Sequence, residues 1–144
     1  MTTFQLLAPR KWRLLAAAWI VALASSLAVL FIGEVMGQAP CNLCWFQRAF
    51  MFPLAIILGL ATFRSDRGVL PYAGALALFG WLIAFAHLIL YVGIIPTPIL
   101  PCGEGPSCSG ESMAIGGIPI PLLSLAAFSL ILTLLLLFQR RLKS

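Results

Sequence analysis

Four long apolar runs, separated by short polar segments, dominate the pattern of the chain. They cover residues 14–33, 44–63, 69–95 and 118–138, and Arg48 is the only Lys, Arg, Asp or Glu inside them. A helix rises 1.5 Å per residue, so about twenty apolar residues cross roughly 30 Å of hydrocarbon. The pattern therefore predicts an all-α polytopic membrane protein, a four-helix transmembrane bundle formed by a single membrane domain over residues 1–144.

The connections differ in character. Segment 64–68 is a short charged turn, which predicts an antiparallel helical hairpin, whereas segment 96–117 is rich in Pro, Gly and Ser and is predicted to be a loop.

A secretory signal peptide is the alternative for the first run. Its apolar part is longer than a signal core, and cleavage after Ala39 would leave Pro40 at the new terminus, so a membrane anchor is favoured.

Composition agrees with the membrane class, and the distribution of charge adds an orientation. The chain is 62% hydrophobic and 9% charged, with a mean hydropathy of +1.07. Its net charge of +5 does not predict nucleic-acid binding, because the basic residues lie in clusters between apolar runs. If the spans alternate, most of these residues share one side, which the positive-inside rule makes cytoplasmic. They are Arg10, Lys11, Arg13, Arg64, Arg67, Arg140, Arg141 and Lys143.

This orientation predicts that both termini are cytoplasmic and that loops 34–44 and 96–117 are exoplasmic. Each exoplasmic loop carries one cysteine pair, and disulfides persist in that compartment. Cys102 and Cys108 have five residues between them, close enough for the ~5.5 Å Cα separation of a disulfide. A soluble thiol protein would have access to such a loop disulfide.

The other pair, Cys41 and Cys44, forms a C-x-x-C motif where the second run begins. Pro40 ends any helix arriving from the first run, so the pair is expected at a new helix N-terminus, where the helix dipole favours thiolate. Gln47 and Arg48 follow three and four residues after Cys44, on the same helical face. Sulfur, amide and fixed positive charge are therefore predicted to lie together, within reach of a lipid-soluble two-electron acceptor.

These residues resemble a known family. The segment Pro40-Cys41-x-Leu43-Cys44-Trp45-x-Gln47-Arg48, the single histidine His87 late in the third run, and a loop cysteine pair before the fourth run are similar to the DsbB family of quinone-linked disulfide-forming membrane proteins. The short second loop and the Ile-Pro-Ile-Pro start of the last run resemble the BdbC-type branch most closely.

The resemblance implies a thiol:quinone oxidoreductase in the bacterial inner (cytoplasmic) membrane. A DsbA-like dithiol oxidase of thioredoxin fold would be reoxidised by Cys102 and Cys108, and the electrons would pass through Cys41 and Cys44 to ubiquinone or menaquinone. By the same resemblance the partner attacks Cys102, while Cys108 exchanges with Cys41. The loop pair departs from the family in its short spacing. The segment between the two cysteines extends over at most roughly 20 Å, which argues against the large loop rearrangement of the family.

The resemblance also implies quinone-binding residues. Cys44 would face the quinone as the thiolate donor, with Arg48 beside it to stabilise both the thiolate and the developing quinol oxyanion. Gln47 would donate to a quinone carbonyl, and His87 would lie near the quinone.

Simpler interpretations remain open at this stage. Arg48 is also explained as an interfacial anchor, His87 as a hydrogen-bonded bundle residue, and the loop pair as a static disulfide. For the whole chain, the alternatives are a membrane module that binds Zn or Cu(I) through four cysteines, and a non-catalytic bundle stapled by disulfides. A vitamin K epoxide reductase-like protein is a further alternative, since it also carries quinone-linked cysteine pairs on a small helical bundle. In such a protein, however, the C-x-x-C motif follows the loop pair, which is the reverse of the order in this chain.

Overall fold

A computed structural model describes residues 9–94, 108, 110 and 113–144. Cys102, one of the predicted site residues, lies outside the described residues. The elements in chain order are α1 (Pro9–Leu30), a π-helical turn (Phe31–Val35), α2 (Asn42–Arg64), α3 (Leu70–Val92), β1 (Ala114–Ile115), β2 (Ile118–Pro119) and α4 (Ile120–Lys143).

The four α-helices form a closed ring of neighbours. Helix α1 packs against α2 and α4, and α3 packs against the other sides of the same two helices. All four are long and apolar enough to cross a membrane. The structure thus confirms the predicted all-α fold, that of a multi-pass membrane protein with four membrane-spanning helices.

Small residues allow the helices to approach closely. Gly80 of α3 faces the ring of Phe128 in α4, and a Cβ at this glycine would overlap that ring. Between membrane helices, association depends on packing contacts and buried polar groups, so close approach matters more than in water. The buried core between the helices is accordingly rich in alanine: Ala18, Ala22, Ala55, Ala61, Ala73, Ala77 and Ala84.

Hydrogen bonds from two tryptophans tie the ring together. The indole nitrogen of Trp12 donates to the Thr62 carbonyl at 3.1 Å, which joins the start of α1 to the end of α2. Trp81 donates to the Ser129 hydroxyl at 2.8 Å and joins α3 to α4. Because the start of α1 meets the end of α2, the basic residues at these termini lie at the end of the bundle opposite the cysteines.

A two-stranded hairpin precedes α4 and was not predicted. Its turn residues Gly116 and Gly117 have φ values of 58° and 83°, the left-handed conformation that a two-residue hairpin turn requires and that glycine adopts without strain. Helix α4 therefore begins at Ile120 rather than at residue 118, where the last apolar run starts. A Gly-Gly pair between apolar residues was the signal available for this hairpin.

Candidate active site

Helix α2 places the C-x-x-C pair at its N-terminus. Cys41 is the N-cap residue, with extended backbone angles of φ −72° and ψ 169°, and its sulfur accepts a hydrogen bond from the backbone N–H of Cys44 at 3.4 Å. The sulfur therefore occupies the position of a capping oxygen, where the partial positive charge of the helix terminus favours a thiolate. Cys41 is fully buried and Cys44 is partly exposed.

The two sulfurs form a hydrogen-bonded dithiol. Their Sγ atoms lie 3.0 Å apart, and both cysteines are free. A disulfide requires about 2.05 Å between sulfurs, so closing this pair needs only a small movement. The structure thus places the two cysteines of the C-x-x-C pair close enough to form a disulfide with each other.

His87 lies against Cys41 from helix α3. The side chain is fully buried, with Nε2 3.8 Å from the Cys41 sulfur and 3.2 Å from the carbonyl oxygen of Cys108. A carbonyl oxygen only accepts, so Nε2 carries a hydrogen and donates to it.

Gln47 contacts the opposite nitrogen of the His87 imidazole. Its side-chain nitrogen lies 2.9 Å from Nδ1 of His87. Since Nε2 carries the hydrogen of a neutral imidazole, Nδ1 accepts from the Gln47 amide N–H. The buried glutamine therefore fixes the orientation of the His87 ring and links α2 to α3, while the Cys108 carbonyl selects the tautomer.

These contacts lower the pKa of Cys41. The largest cause is the hydrogen bond from the Cys44 thiol, and His87 acts in the same direction, while burial opposes both. Cys41 precedes the first residue of the membrane-spanning helix. It is consequently the sulfur that holds the negative charge when the reduced pair loses one proton.

We expect the ionisation of Cys41 to depend on the donor at position 44. In a chain with Cys102 and Cys108 replaced by serine, Cys44→Ala should raise the Cys41 pKa relative to Cys44→Ser, because only the serine retains a hydrogen-bond donor. The ultraviolet absorbance of the thiolate, recorded against pH, measures the Cys41 pKa in both variants. Because folding lowers this pKa, the ionised sulfur stabilises the reduced fold at alkaline pH, and the stabilisation is lost as pH falls through the folded pKa. Equal titration curves for the two variants would contradict the assignment.

Cys108 lies beside the same sulfur. It is 2% exposed and disulfide-bonded, and it belongs to a buried cluster that forms the cysteine end of the bundle. The members of this cluster are Cys41, Leu43, Leu90, Cys108 and Met113. The structure therefore brings Cys108, which is 67 positions away in sequence from Cys41, to the buried side of the C-x-x-C pair.

A cavity of about 350 Å³ opens on the other side of the pair, between α1, α2 and α4. Cys44, Gln47 and Arg48 are among its lining residues, so the cavity brings the predicted catalytic Cys44 together with two of the three predicted quinone-binding residues. His87 is not among the lining residues. The structure thus places His87 against Cys41 and Cys108 instead of on the cavity wall. The remaining wall is mostly apolar and includes Ala28, Ile32, Met51, Ile120, Leu123, Ala127 and Phe128.

Arg48 is held in place by the end of α1. Its Nη2 donates to the Val29 carbonyl at 2.9 Å, and the guanidinium carbon lies 5.5 Å from the centre of the Trp45 ring. A Cβ at Gly33, inside the π-helical turn, would lie only 3.1 Å from Nη2, so a glycine there leaves space for the guanidinium. A carbonyl and a ring do not neutralise the positive charge, which remains at the cavity wall.

The contribution of α1 and α4 to this site was not visible in the sequence. Val29, Gly33 and Phe128 belong to apolar runs whose spacing indicates helices but not which helix faces them. The π-helical turn is equally unsignalled, although such turns occur often at functional sites. Gln47 and Arg48 were found because their spacing from Cys44 is local.

Comparison with known proteins agrees with the chemistry of these residues. Residues 9–138 match the family model described as disulfide bond formation protein DsbB. A probable disulfide formation protein of Metapseudomonas resinovorans is 57% identical over 132 residues, covering 90% of this chain and 92% of the relative. Disulfide bond formation protein C of Bacillus subtilis (strain 168) is 40% identical over 126 residues, covering 87% and 91%. No solved structure gave a significant match.

Thiol oxidation by a membrane protein requires three features that are present here. They are the free dithiol at the N-terminus of α2, the disulfide-bonded Cys108 in the same buried cluster, and the four membrane-spanning helices. The family match covers all of these described elements, apart from the last residues of α4. The resemblance to the BdbC-type branch is also confirmed, through the Bacillus subtilis relative. The chain therefore belongs to the DsbB family of disulfide bond formation proteins.

Proposed function

We propose that the protein is a membrane thiol:quinone oxidoreductase that reoxidises a DsbA-like dithiol oxidase of thioredoxin fold outside the cytoplasm. One observation carries the proposal: the two sulfurs of the C-x-x-C pair face different surroundings. Cys41 is buried in the cluster that contains Cys108, while Cys44, at the edge of that cluster, lines the cavity. Electrons that enter through one sulfur can therefore leave beside the other.

The proposed sequence of exchanges balances at each step. The partner's dithiol reduces the disulfide of Cys102 and Cys108 and becomes a disulfide itself. Cys108 then attacks Cys41 in the Cys41–Cys44 disulfide, and Cys44 leaves as a thiolate. Cys102 next resolves the Cys41–Cys108 bond, which restores the loop disulfide and leaves Cys41 and Cys44 reduced.

The end of this sequence leaves the loop pair as a disulfide and the C-x-x-C pair as a dithiol. Cys108 is disulfide-bonded, and Cys41 and Cys44 are free. Closing the thiolate–thiol pair to its disulfide releases two electrons and one proton, and a quinone in the cavity would take them up together with a second proton from solvent to become a quinol. The low pKa of Cys41 keeps one sulfur ready as a thiolate for closing that bond.

The cavity fits a quinone in size and polarity. Its volume of about 350 Å³ lies within the usual range for small-molecule sites, and the wall is mostly apolar with a few polar groups. Arg48 offers N–H donors to a carbonyl oxygen there, and its charge would stabilise a developing oxyanion. The Gln47 amide has a second N–H beyond the one donated to His87.

His87 serves the exchange between cysteines in this proposal. Its Nε2–H group points to the Cys108 carbonyl and lies near the Cys41 sulfur. It holds the backbone of Cys108 beside Cys41 and stabilises negative charge on that sulfur. We therefore regard His87 as a positioning residue for the Cys41–Cys108 exchange.

The proposed location is the bacterial inner (cytoplasmic) membrane, with both termini in the cytoplasm. The basic residues at the start of α1 and in the last turns of α2 and α4 support this orientation through the positive-inside rule. The cysteines at the opposite end then face the periplasm or the outer surface, where both the partner and the quinone pool have access.

Quinone reduction in proteoliposomes tests the proposal. Purified protein is supplied with ubiquinone or menaquinone and with a reduced DsbA-like protein. One quinol is expected for each partner dithiol oxidised, and no quinol is expected when the partner is supplied as its disulfide. Partner oxidation that proceeds equally well without quinone would contradict the proposed electron route.

Arg48→Ala should chiefly weaken the use of quinone. A hydrogen bond to a charged group contributes about 1.5–3 kcal/mol, so the quinone KM is expected to rise roughly 10–100-fold in the proteoliposome assay. Disulfide exchange with the partner, measured in a single turnover without quinone, should be unchanged. Arg64→Ala, at the other end of the same helix, is the matched control. An unchanged quinone KM in Arg48→Ala would reduce this residue to an interfacial anchor.

A further inference from the structure

The reduced dithiol and His87 form a compact set of three soft donors. The Cys41 and Cys44 sulfurs and a ring nitrogen of His87 all lie within 4.8 Å of one another. Cys41 and His87 are fully buried, so two of the three donors are shielded from competing water. None of the three side chains carries a fixed positive charge that would repel a cation.

We propose that this set is a redox-gated binding site for a thiophilic divalent cation such as Zn²⁺ or Cd²⁺. Tetrahedral zinc has Zn–S distances of about 2.3 Å and Zn–N distances of about 2.0–2.1 Å, which separate neighbouring ligand atoms by about 3.5–3.8 Å. The observed separations are 3.0 Å between the sulfurs and 3.8 Å from Cys41 to Nε2. Binding therefore requires the sulfur pair to widen, and it requires the Cys44 sulfur and the His87 ring nitrogen, which lie within 4.8 Å, to adopt the same separation.

The buried glutamine supports this ligand set. Binding through Nε2 moves the imidazole hydrogen to Nδ1, and a rotation of the Gln47 amide then presents its oxygen to Nδ1–H at the present 2.9 Å contact. Such an outer hydrogen bond orients most metal-ligating histidines. The Cys108 carbonyl, 3.2 Å from Nε2, loses its donor and lies next to the cation as a fourth ligand.

The gate is the redox state of the sulfurs. Binding converts the thiolate of Cys41 and the thiol of Cys44 into two metal-bound thiolates and releases the Cys44 proton to solvent, with no change in oxidation state. In the Cys41–Cys44 disulfide the sulfurs are bonded to each other and supply no thiolate. The cation is therefore bound by the reduced pair alone.

The consequence for turnover rests on the proposed function. A cation held by both sulfurs prevents the pair from closing to a disulfide, so it would stop the protein in its reduced state. Cation binding itself needs neither quinone nor partner, and it is measured without them.

The test uses the full chain with Cys102 and Cys108 replaced by serine, in detergent, titrated with Cd²⁺. After reduction we expect one Cd²⁺ per chain and a thiolate-to-cadmium charge-transfer band, with neither in the disulfide form. Gln47→Leu should weaken Cd²⁺ binding about 10–100-fold, as losses of outer hydrogen bonds do, and His87→Ala should weaken it at least as much. Circular dichroism checks that both variants remain helical.

Two results would overturn the site. Equal Cd²⁺ binding by the disulfide form would place the cation elsewhere, and unchanged affinity in both Gln47→Leu and His87→Ala would leave the sulfurs as the only ligands. Because no quinone or partner is present, failure here leaves the proposed oxidoreductase function intact. Conversely, a chain that binds Cd²⁺ in this way and never reduces quinone would remove the oxidoreductase proposal alone.

Discussion

Cys44→Ser is expected to abolish quinone reduction while leaving the helical bundle intact. Cys44 is the sulfur on the cavity wall, and serine cannot form the Cys41–Cys44 disulfide whose closing releases the electrons. Quinol formation in proteoliposomes should fall to the background of empty vesicles, and the helical content measured by circular dichroism should not change.

The same variant should accumulate a specific covalent intermediate. With Cys44 absent, the Cys41 thiolate attacks Cys108 in the Cys102–Cys108 disulfide and Cys102 leaves as a thiolate, so a Cys41–Cys108 disulfide forms and is detected by mass spectrometry of peptides. Cys41→Ser is the matched control: it should also lose quinone reduction but should form no link between Cys44 and Cys108. Wild-type quinone reduction in Cys44→Ser would show that the electrons leave by another route.

Cys108→Ser is expected to capture the partner protein through Cys102. The experiment uses a DsbA-like protein whose second active-site cysteine is replaced by alanine, so that a mixed disulfide formed by mild oxidation is not resolved. Cys108 is 2% exposed and lies within the buried cluster around Cys41, which makes it a poor target for a soluble protein. The burial of Cys108 therefore supports the role that the family resemblance implies for Cys102, that of the cysteine attacked by the partner.

The matched variant Cys102→Ser should form no such adduct under the same conditions. Non-reducing gel electrophoresis with detection of both proteins measures the adducts. If Cys102→Ser captures the partner and Cys108→Ser does not, the two cysteines exchange their proposed roles, and the burial of Cys108 does not decide which one the partner attacks.

The membrane fold was predictable because hydrocarbon imposes simple requirements on a chain. A helix satisfies its own backbone groups, and its length and apolar composition are visible in the sequence. The ends were less accurate. The apolar run that starts at residue 118 continues through β2, so periodicity did not separate the strand residues Ile118–Pro119 from α4.

The candidate site was predictable where the relations between residues are local. Pro40 before the motif and the spacing from Cys44 to Gln47 and Arg48 follow from the geometry of one helix. His87 is the opposite case: its neighbours Cys41 and Cys108 lie on other elements, and only the packing of α3 shows that it contacts the cysteines. The Val29 carbonyl that holds Arg48 is a backbone group, which carries no sequence signal at all.

Thiol trapping in isolated membranes tests the central electron route most directly. Membranes depleted of quinone receive a reduced thioredoxin-fold protein, and the free thiols of the chain are then alkylated with a mass tag and counted. All four cysteines are expected to become reduced, and to return to two disulfides when quinone is added back. Cysteines that stay in one redox state through both additions would contradict the account.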